Sequence, residues 1–294
     1  MVNKWRIWIL STMFAVGMTG IVASATASQQ PLNFVVILVD DMGWTGLGGY
    51  GSDLHQTPHI DRFAEGAMKF TSAYASASIC TPTRAALMTG KYPARLNMTI
   101  WHEQAKTPQQ NKKLIPPIVE GSLSHDEVTI AEVLRTAGYR TGHVGKWHLG
   151  EASHYPETHG FDFTFGGCCW GCPATFYFPY RGWYGNNQNR HYRYIDGIDA
   201  SEPREDEYLT DRLTDEALSF IDRAAEHPFF LYMSYYTVHK PIEGKPDVAA
   251  RYEERIQDGM DHRHAHYAAM HEALDDNVGR ILEQLENEGL ADQT

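Results

Sequence analysis

The chain has 294 residues, 43% hydrophobic and 21% charged, a soluble globular composition that excludes a disordered, collagen-like or coiled-coil chain. Its 37 acidic residues against 25 basic ones give a formal charge of −12. With no basic run, it is a poor partner for nucleic acid or anionic lipid, so an anionic substrate must be held by a few local cations.

In chain order, Lys4 and Arg6 precede an apolar run over 7–23, and Ala25-Thr26-Ala27 fits a small-residue cleavage site before Ser28. This is the pattern of a secretory signal peptide; a retained membrane anchor is the other reading. The expected organisation is a signal over 1–27 and one domain over 28–294. The mature protein is expected to be exported, periplasmic or secreted, with no membrane anchor after cleavage.

Residues 32–39 (LNFVVILV) form a short, continuous, branched run that suits a strand buried on both faces. It ends in Asp40-Asp41 and a glycine-rich stretch over 43–51. A short helix is expected over 58–67 and a strand over 68–74. The next helix begins near Pro82 and stops by Gly90. Residues 127–137 read as an amphipathic helix with Ile130, Val133 and Leu134 on one face, capped by Gly138. A strand over 139–144 then leads into Gly145-Lys146-Trp147-His148. A long helix over 208–225, a buried strand over 228–235 (PFFLYMSY) and a third long helix over 262–287 complete the series. Such alternation predicts an α/β fold, helices flanking a mostly parallel central sheet. Residues 166–199, dense in aromatics, Gly and Asn, break the rhythm and read as a long ordered insertion over the sheet edge. A further strand is expected after the last helix, so the chain reads as a fragment of a longer one.

In parallel α/β sheets ligands gather at the carboxyl ends of strands. Four polar clusters are expected there: Asp40-Asp41, the loop before Cys80, Lys146-Trp147-His148 and His239-Lys240. Adjacent carboxylates repel unless paired, and a divalent cation such as Ca²⁺ or Mg²⁺ resolves that conflict; a plain Asp-Asp turn is the other reading. Pro82 suits a first helical turn. That puts Cys80 beside free N–H groups, a place for an anion or an activated nucleophile, with Arg84 one turn on. A buried structural cysteine with a surface arginine is the alternative.

Cys80-Thr81-Pro82-Thr83-Arg84, continued by Ala85-Ala86-Leu87-Met88-Thr89-Gly90, resembles the C-x-P-x-R…TG signature of type I sulfatases (arylsulfatases). The resemblance continues through NFVVILVDDMGW (33–44), TPHIDRFAEGAMKFTSAYA (57–75), GYRTGHVGKWHLG (138–150), HGFDF (159–163), FFLYMSYYTVHKP (229–241) and ALDDNVGRILEQLE (273–286). It implies the alkaline-phosphatase-like α/β fold and a sulfuric ester hydrolase acting on sulfated carbohydrates or other sulfate esters. It also implies that a formylglycine-generating enzyme oxidises Cys80 to Cα-formylglycine. One oxygen of the hydrated aldehyde attacks sulfur, and the second hydroxyl then expels sulfate, which a serine cannot do. By the same resemblance Asp40 and Asp41 match metal ligands, completed by residue 80. Arg84 supports the diol, Lys146 bridges diol and sulfate, His148 matches the base for elimination, and His239 contacts sulfate and leaving group.

The family's further metal ligands, an Asp-Asn pair after a later strand, have no match before Thr294; Asp275-Asp276-Asn277 lies inside the last expected helix. The expectation is an incomplete metal shell, with weak metal binding and little activity for this chain alone. The histidines at 262, 264, 266 and 271 read as a polar, exposed helix face. A disulfide is the favoured reading for Cys168, Cys169 and Cys172, with partner unassigned. Trp170, Phe176, Tyr177, Phe178, Tyr180, Trp183 and Tyr184 either stack on a sugar or form the core of the insertion. Trp101, His102 and residues 186–189 are candidate rim contacts. A phosphomonoester or phosphonate hydrolase of the same superfamily, and a non-catalytic sugar-binding remnant, are the competing functions.

Overall fold

A four-stranded parallel sheet, in the order β1-β6-β2-β3, organises the molecule. Its strands are β1 (Phe34–Leu38), β2 (Arg140–Gly145), β3 (Phe163–Phe165) and β6 (Phe229–Ser234). The computed structural model describes residues 31–107, 113–114, 117–186, 190–199, 201 and 204–294. The expected signal over 1–27 lies outside the described residues, and among them no helix is long and apolar enough to cross a membrane.

The central strand β6 shows why the sheet is sandwiched. All six of its residues are buried. Phe229, Leu231 and Met233 join one core with the helices α5 (Leu209–Ala224) and α7 (Ala265–Asn287). Phe230 and Tyr232 join a second core with Ala85 and Met88 of α2 (Cys80–Thr89) and Ala131 of α4 (Ile130–Thr136). The two-residue period of a strand thus feeds opposite faces. Each large apolar side chain so buried contributes about 1.5–3 kcal/mol. Helix α5 carries Leu209, Leu213, Ala217, Phe220, Ile221 and Ala224 on its buried side, with no glycine or proline within it.

Four sequence expectations are corrected. Strand β1 is half-buried rather than enclosed, because among the described residues it pairs with β6 alone. Residues 68–74 form an exposed irregular segment, not a strand. Helix α4 buries Ala131 and leaves Val133 56% exposed; its start is fixed instead by a capping box between Thr129 and Glu132. His262 precedes α7, bonded to Thr45 and Asp53, and His271 is buried within it, so these histidines are not one exposed face.

Two short helices, α1 (Pro58–Gly66) and α6 (Pro246–Glu253), pack on α7. Asp275 of α7 accepts the His59 and Ile60 amides at 3.0 and 2.8 Å, satisfying the first turn of α1. Asp275 therefore has a structural use within the long helix, where it also lies with Asp276 close to His59. The 166–199 segment is an insertion built on the hairpin β4 (Gly182–Tyr184) and β5 (His191–Arg193). Phe176 and Tyr180 enter the core between the sheet, α5 and α7, while Trp183 stays exposed. All four cysteines are free thiols, so the expected disulfide is absent. Cys168 Sγ contacts the Tyr194 carbonyl and the Tyr236 hydroxyl, and Cys172 meets Arg193, so their partners are not thiols.

Candidate active site

The carboxyl ends of β1, β2 and β6 meet the first turn of α2. After β1, Asp40 and Thr237 exchange backbone contacts: Asp40 N–H donates to the Thr237 carbonyl, and Val238 N–H donates to the Asp40 carbonyl. This pairing sets His239 against Asp41, with Nε2 3.3 Å from Oδ2. Gly145 ends β2 at φ 99°, and a Cβ there would fall 2.0 Å from the Ser234 carbonyl oxygen. Only glycine admits the turn that delivers Lys146 and His148. Asp41 and His148 themselves hold left-handed φ values of 58° and 59°, a conformation that non-glycine residues seldom adopt and that clusters at functional sites.

Cys80 is the first residue of α2, preceded by Ile79, which offers no side-chain cap. The segment before it follows a loop rather than a strand, so the fourth cluster reaches the site by way of a helix tip. Gly90 ends α2 in the left-handed conformation, its N–H on the Ala86 carbonyl.

Asp41, Cys80, His148 and His239 line one cleft of about 390 Å³, together with Trp101, Glu103, Cys172, Tyr184, Arg193 and Lys240. Asp40, Arg84 and Lys146 form a buried ionic group, 5%, 1% and 0% exposed. Arg84 Nη2 lies 3.0 Å from Asp40 Oδ1, and Lys146 Nζ pairs with Oδ2. Arg84 also donates to the Lys146 carbonyl at 2.8 Å and to the Ser234 hydroxyl. Burial works against the Asp40 charge, but Lys146 and Arg84 outweigh it and hold the carboxyl well below the usual carboxylate range.

His148 and Glu103 were not linked by sequence reasoning. Glu103, on the short helix α3 (His102–Ala105), accepts from His148 Nε2 at 2.6 Å. Burial pushes the His148 imidazolium down to about 4, assisted by the Lys146 and Arg84 charges and opposed by Glu103. Burial raises Glu103, but its bond with His148 prevails and keeps it ionised. At neutral pH His148 is therefore neutral with its proton on Nε2, and its buried Nδ1, which has no hydrogen-bond partner, carries a lone pair.

The insertion closes this corner. Gly171 N–H donates to Glu103 Oε1 at 3.3 Å, and a Cβ at Gly171 would meet His148 Cε1 at 2.6 Å. Arg193 Nη2 reaches Glu103 Oε1 at 3.8 Å and its guanidinium lies 4.0 Å from the Tyr184 ring centroid. Glu103, Gly171 and Arg193 carry no local motif; only the folded chain brings them to the His148 corner, where Tyr184, one of the expected stacking aromatics, lines the same cleft. Of the candidate rim residues, Trp101 lines the cleft, whereas His102 is buried and bonds the Gly121 carbonyl. Residues 187–189 lie outside the described residues.

Oxygen and nitrogen donors of Asp40, Asp41 and His239 lie within 4.8 Å of one another. Two carboxylates and an imidazole suit a hard divalent cation in kind, and fall short of the roughly six to eight oxygens that calcium takes.

A parallel sheet sandwiched by helices, with its polar residues gathered at the strand ends, defines an α/β protein of the alkaline-phosphatase-like fold. The sulfatase family model matches residues 32–294, and the chain belongs to the sulfatase family. N-acetylgalactosamine-6-sulfatase of Sus scrofa is 33% identical over 304 residues, covering 99% of this chain and 52% of that protein. An arylsulfatase of Hemicentrotus pulcherrimus is 31% identical over 276 residues, covering 89% and 45%. The structure of Ps i-CgsB in complex with k-i-k-neocarrahexaose superposes with a TM-score of 0.69 at 30% identity, covering 90% of this chain and 57% of that one. The chain spans about half the length of the curated relatives it matches.

Proposed function

We propose that the protein hydrolyses sulfate esters of carbohydrates and that residue 80 carries the nucleophile. The observation that supports this most is the helix-tip Cys80 in one cleft with Asp41, His148 and His239, backed by the Asp40–Arg84–Lys146 group, in a chain of the sulfatase family. The carbohydrate reading draws on a relative named for a sulfated amino sugar and a structural neighbour holding an oligosaccharide. Trp101 and Tyr184 on the cleft wall offer faces for a sugar ring.

Formylglycine made from Cys80 by a generating enzyme would supply a hydrated aldehyde, a nucleophile whose adduct can break down again. Calcium or magnesium held by Asp40, Asp41 and the side chain of residue 80 would supply positive charge for the attacking oxygen and for the ester. Among the described residues the donors at this site are few for calcium, so weak binding is expected of them alone. The remaining roles belong to the chain's own residues. Arg84 and Lys146 hold fixed positive charge behind Cys80, where charge builds on sulfuryl oxygens. His148, neutral and with Nε2 committed to Glu103, keeps Nδ1 free to take a proton in the step that releases sulfate. His239 lines the cleft wall and would serve the departing alcohol.

The test is turnover of aryl sulfate by the full-length protein, expressed with a formylglycine-generating enzyme. The expected result is hydrolysis by the wild type, oxidation of residue 80 seen by peptide mass spectrometry, and loss of turnover in Cys80→Ala. Equal rates in the variant, or faster cleavage of the matching aryl phosphate, would overturn the reading.

A further inference from the structure

Outside the cleft, three histidines from two segments converge on the far side of Trp147. His125 comes from the loop before α4, and His154 and His159 from the short turns after His148. One ring nitrogen from each lies within 4.8 Å of the other two. The rings are nearly parallel, His125 to His154 at 4.4 Å and 14°, and His125 to His159 at 4.9 Å and 16°.

Hydrogen bonding divides the nitrogens in a telling way. His125 Nε2 meets the Ser153 carbonyl at 3.0 Å, and His154 Nδ1 meets the Leu123 carbonyl at 2.8 Å. Each ring is thereby oriented by one nitrogen and keeps the other. His159 is 1% exposed, and both of its ring nitrogens are buried without a hydrogen-bond partner. A buried polar atom left unpaired costs about 1–3 kcal/mol. Ring stacking accounts for the packing and leaves those two nitrogens unexplained.

We propose that His125, His154 and His159 form a binding site for one divalent transition-metal ion of the zinc class. Three neutral imidazoles with a nearby open face match the preference of zinc, copper and nickel for nitrogen, and not that of calcium for oxygen. A carbonyl bond on one ring nitrogen, as His154 makes with Leu123, is the usual means of fixing a metal-binding histidine. About 3.3 Å separates nitrogens around a tetrahedral zinc, so the exposed His125 ring would leave its stacked position and its Ser153 bond to complete the set. The ion would tie the 121–129 loop to the 151–159 segment. Trp147 connects that segment to the catalytic loop, since its Nε1 donates to the His154 carbonyl at 2.7 Å.

The test is calorimetric titration of the metal-stripped chain with zinc chloride at pH 7.5. The wild type should bind one equivalent with micromolar or tighter affinity. His125→Ala, an exposed change that leaves the fold intact, and His154→Ala should each weaken binding at least tenfold, whereas His239→Ala should retain it. No zinc uptake by the wild type, unaltered uptake by the His125 and His154 variants, or loss in the His239 variant would overturn the proposal.

Discussion

Glu103 Oε2 lies 2.6 Å from His148 Nε2, a contact between residues 45 positions apart. It fixes which imidazole nitrogen holds the proton, because an ionised carboxylate only accepts. The proposed base is therefore oriented from α3, while its position comes from the end of β2.

Replacing Glu103 by Gln in the full-length, matured protein should lower kcat about 10–100-fold, by analogy with the loss of the partner of a metal-bound histidine. KM should change far less. The carboxylate opposes the lowering of the His148 pKa, so its loss should also move any acid limb of the pH–rate profile to lower pH. Unchanged kcat together with an unchanged profile would refute the positioning role.

Asp40 is the shared counter-ion of two buried cations. Asp40→Asn leaves Arg84 and Lys146 buried beside a neutral amide. Removing one partner of such a group costs about 3–5 kcal/mol. Urea denaturation of the chain should show a loss of this size. A variant as stable as the wild type would mean that the two cations find water in its place.

Burial holds His143, His148 and His271 down to about 3, 4 and 4. The unfolded chain protonates such groups near 6.5, so between that value and the folded pKa it binds more protons than the native state. Their contribution is fully present above pH 6.5 and is lost as the pH falls toward 4, by a few kcal/mol in total. The urea midpoint should drop clearly from pH 7 to pH 5; an identical midpoint at both would contradict neutral burial of these rings.

Local sequence was enough for the scaffold. The apolar run over 229–234 cannot be solvated, so it had to become a central strand. Pro82 and Gly90 bracket α2 through their backbone limits alone, and Asp40, Asp41, Cys80, Lys146, His148 and His239 were legible because each sits where an element begins or ends. Tertiary structure decided the rest. Whether β1 is enclosed depends on which strands flank it, and whether residues 68–74 pair depends on an available edge; neither is a property of the segment itself. The neutral state of His148 follows from burial and from Glu103, Lys146 and Arg84, whose charges act through space. The three-histidine cluster arises because the chain returns past the loop at 125 before β3, a closure that no periodicity of side chains encodes. Residue type and spacing select an element because φ, ψ and hydrogen bonding are local; electrostatics and packing at the site depend on distances that only the folded chain defines.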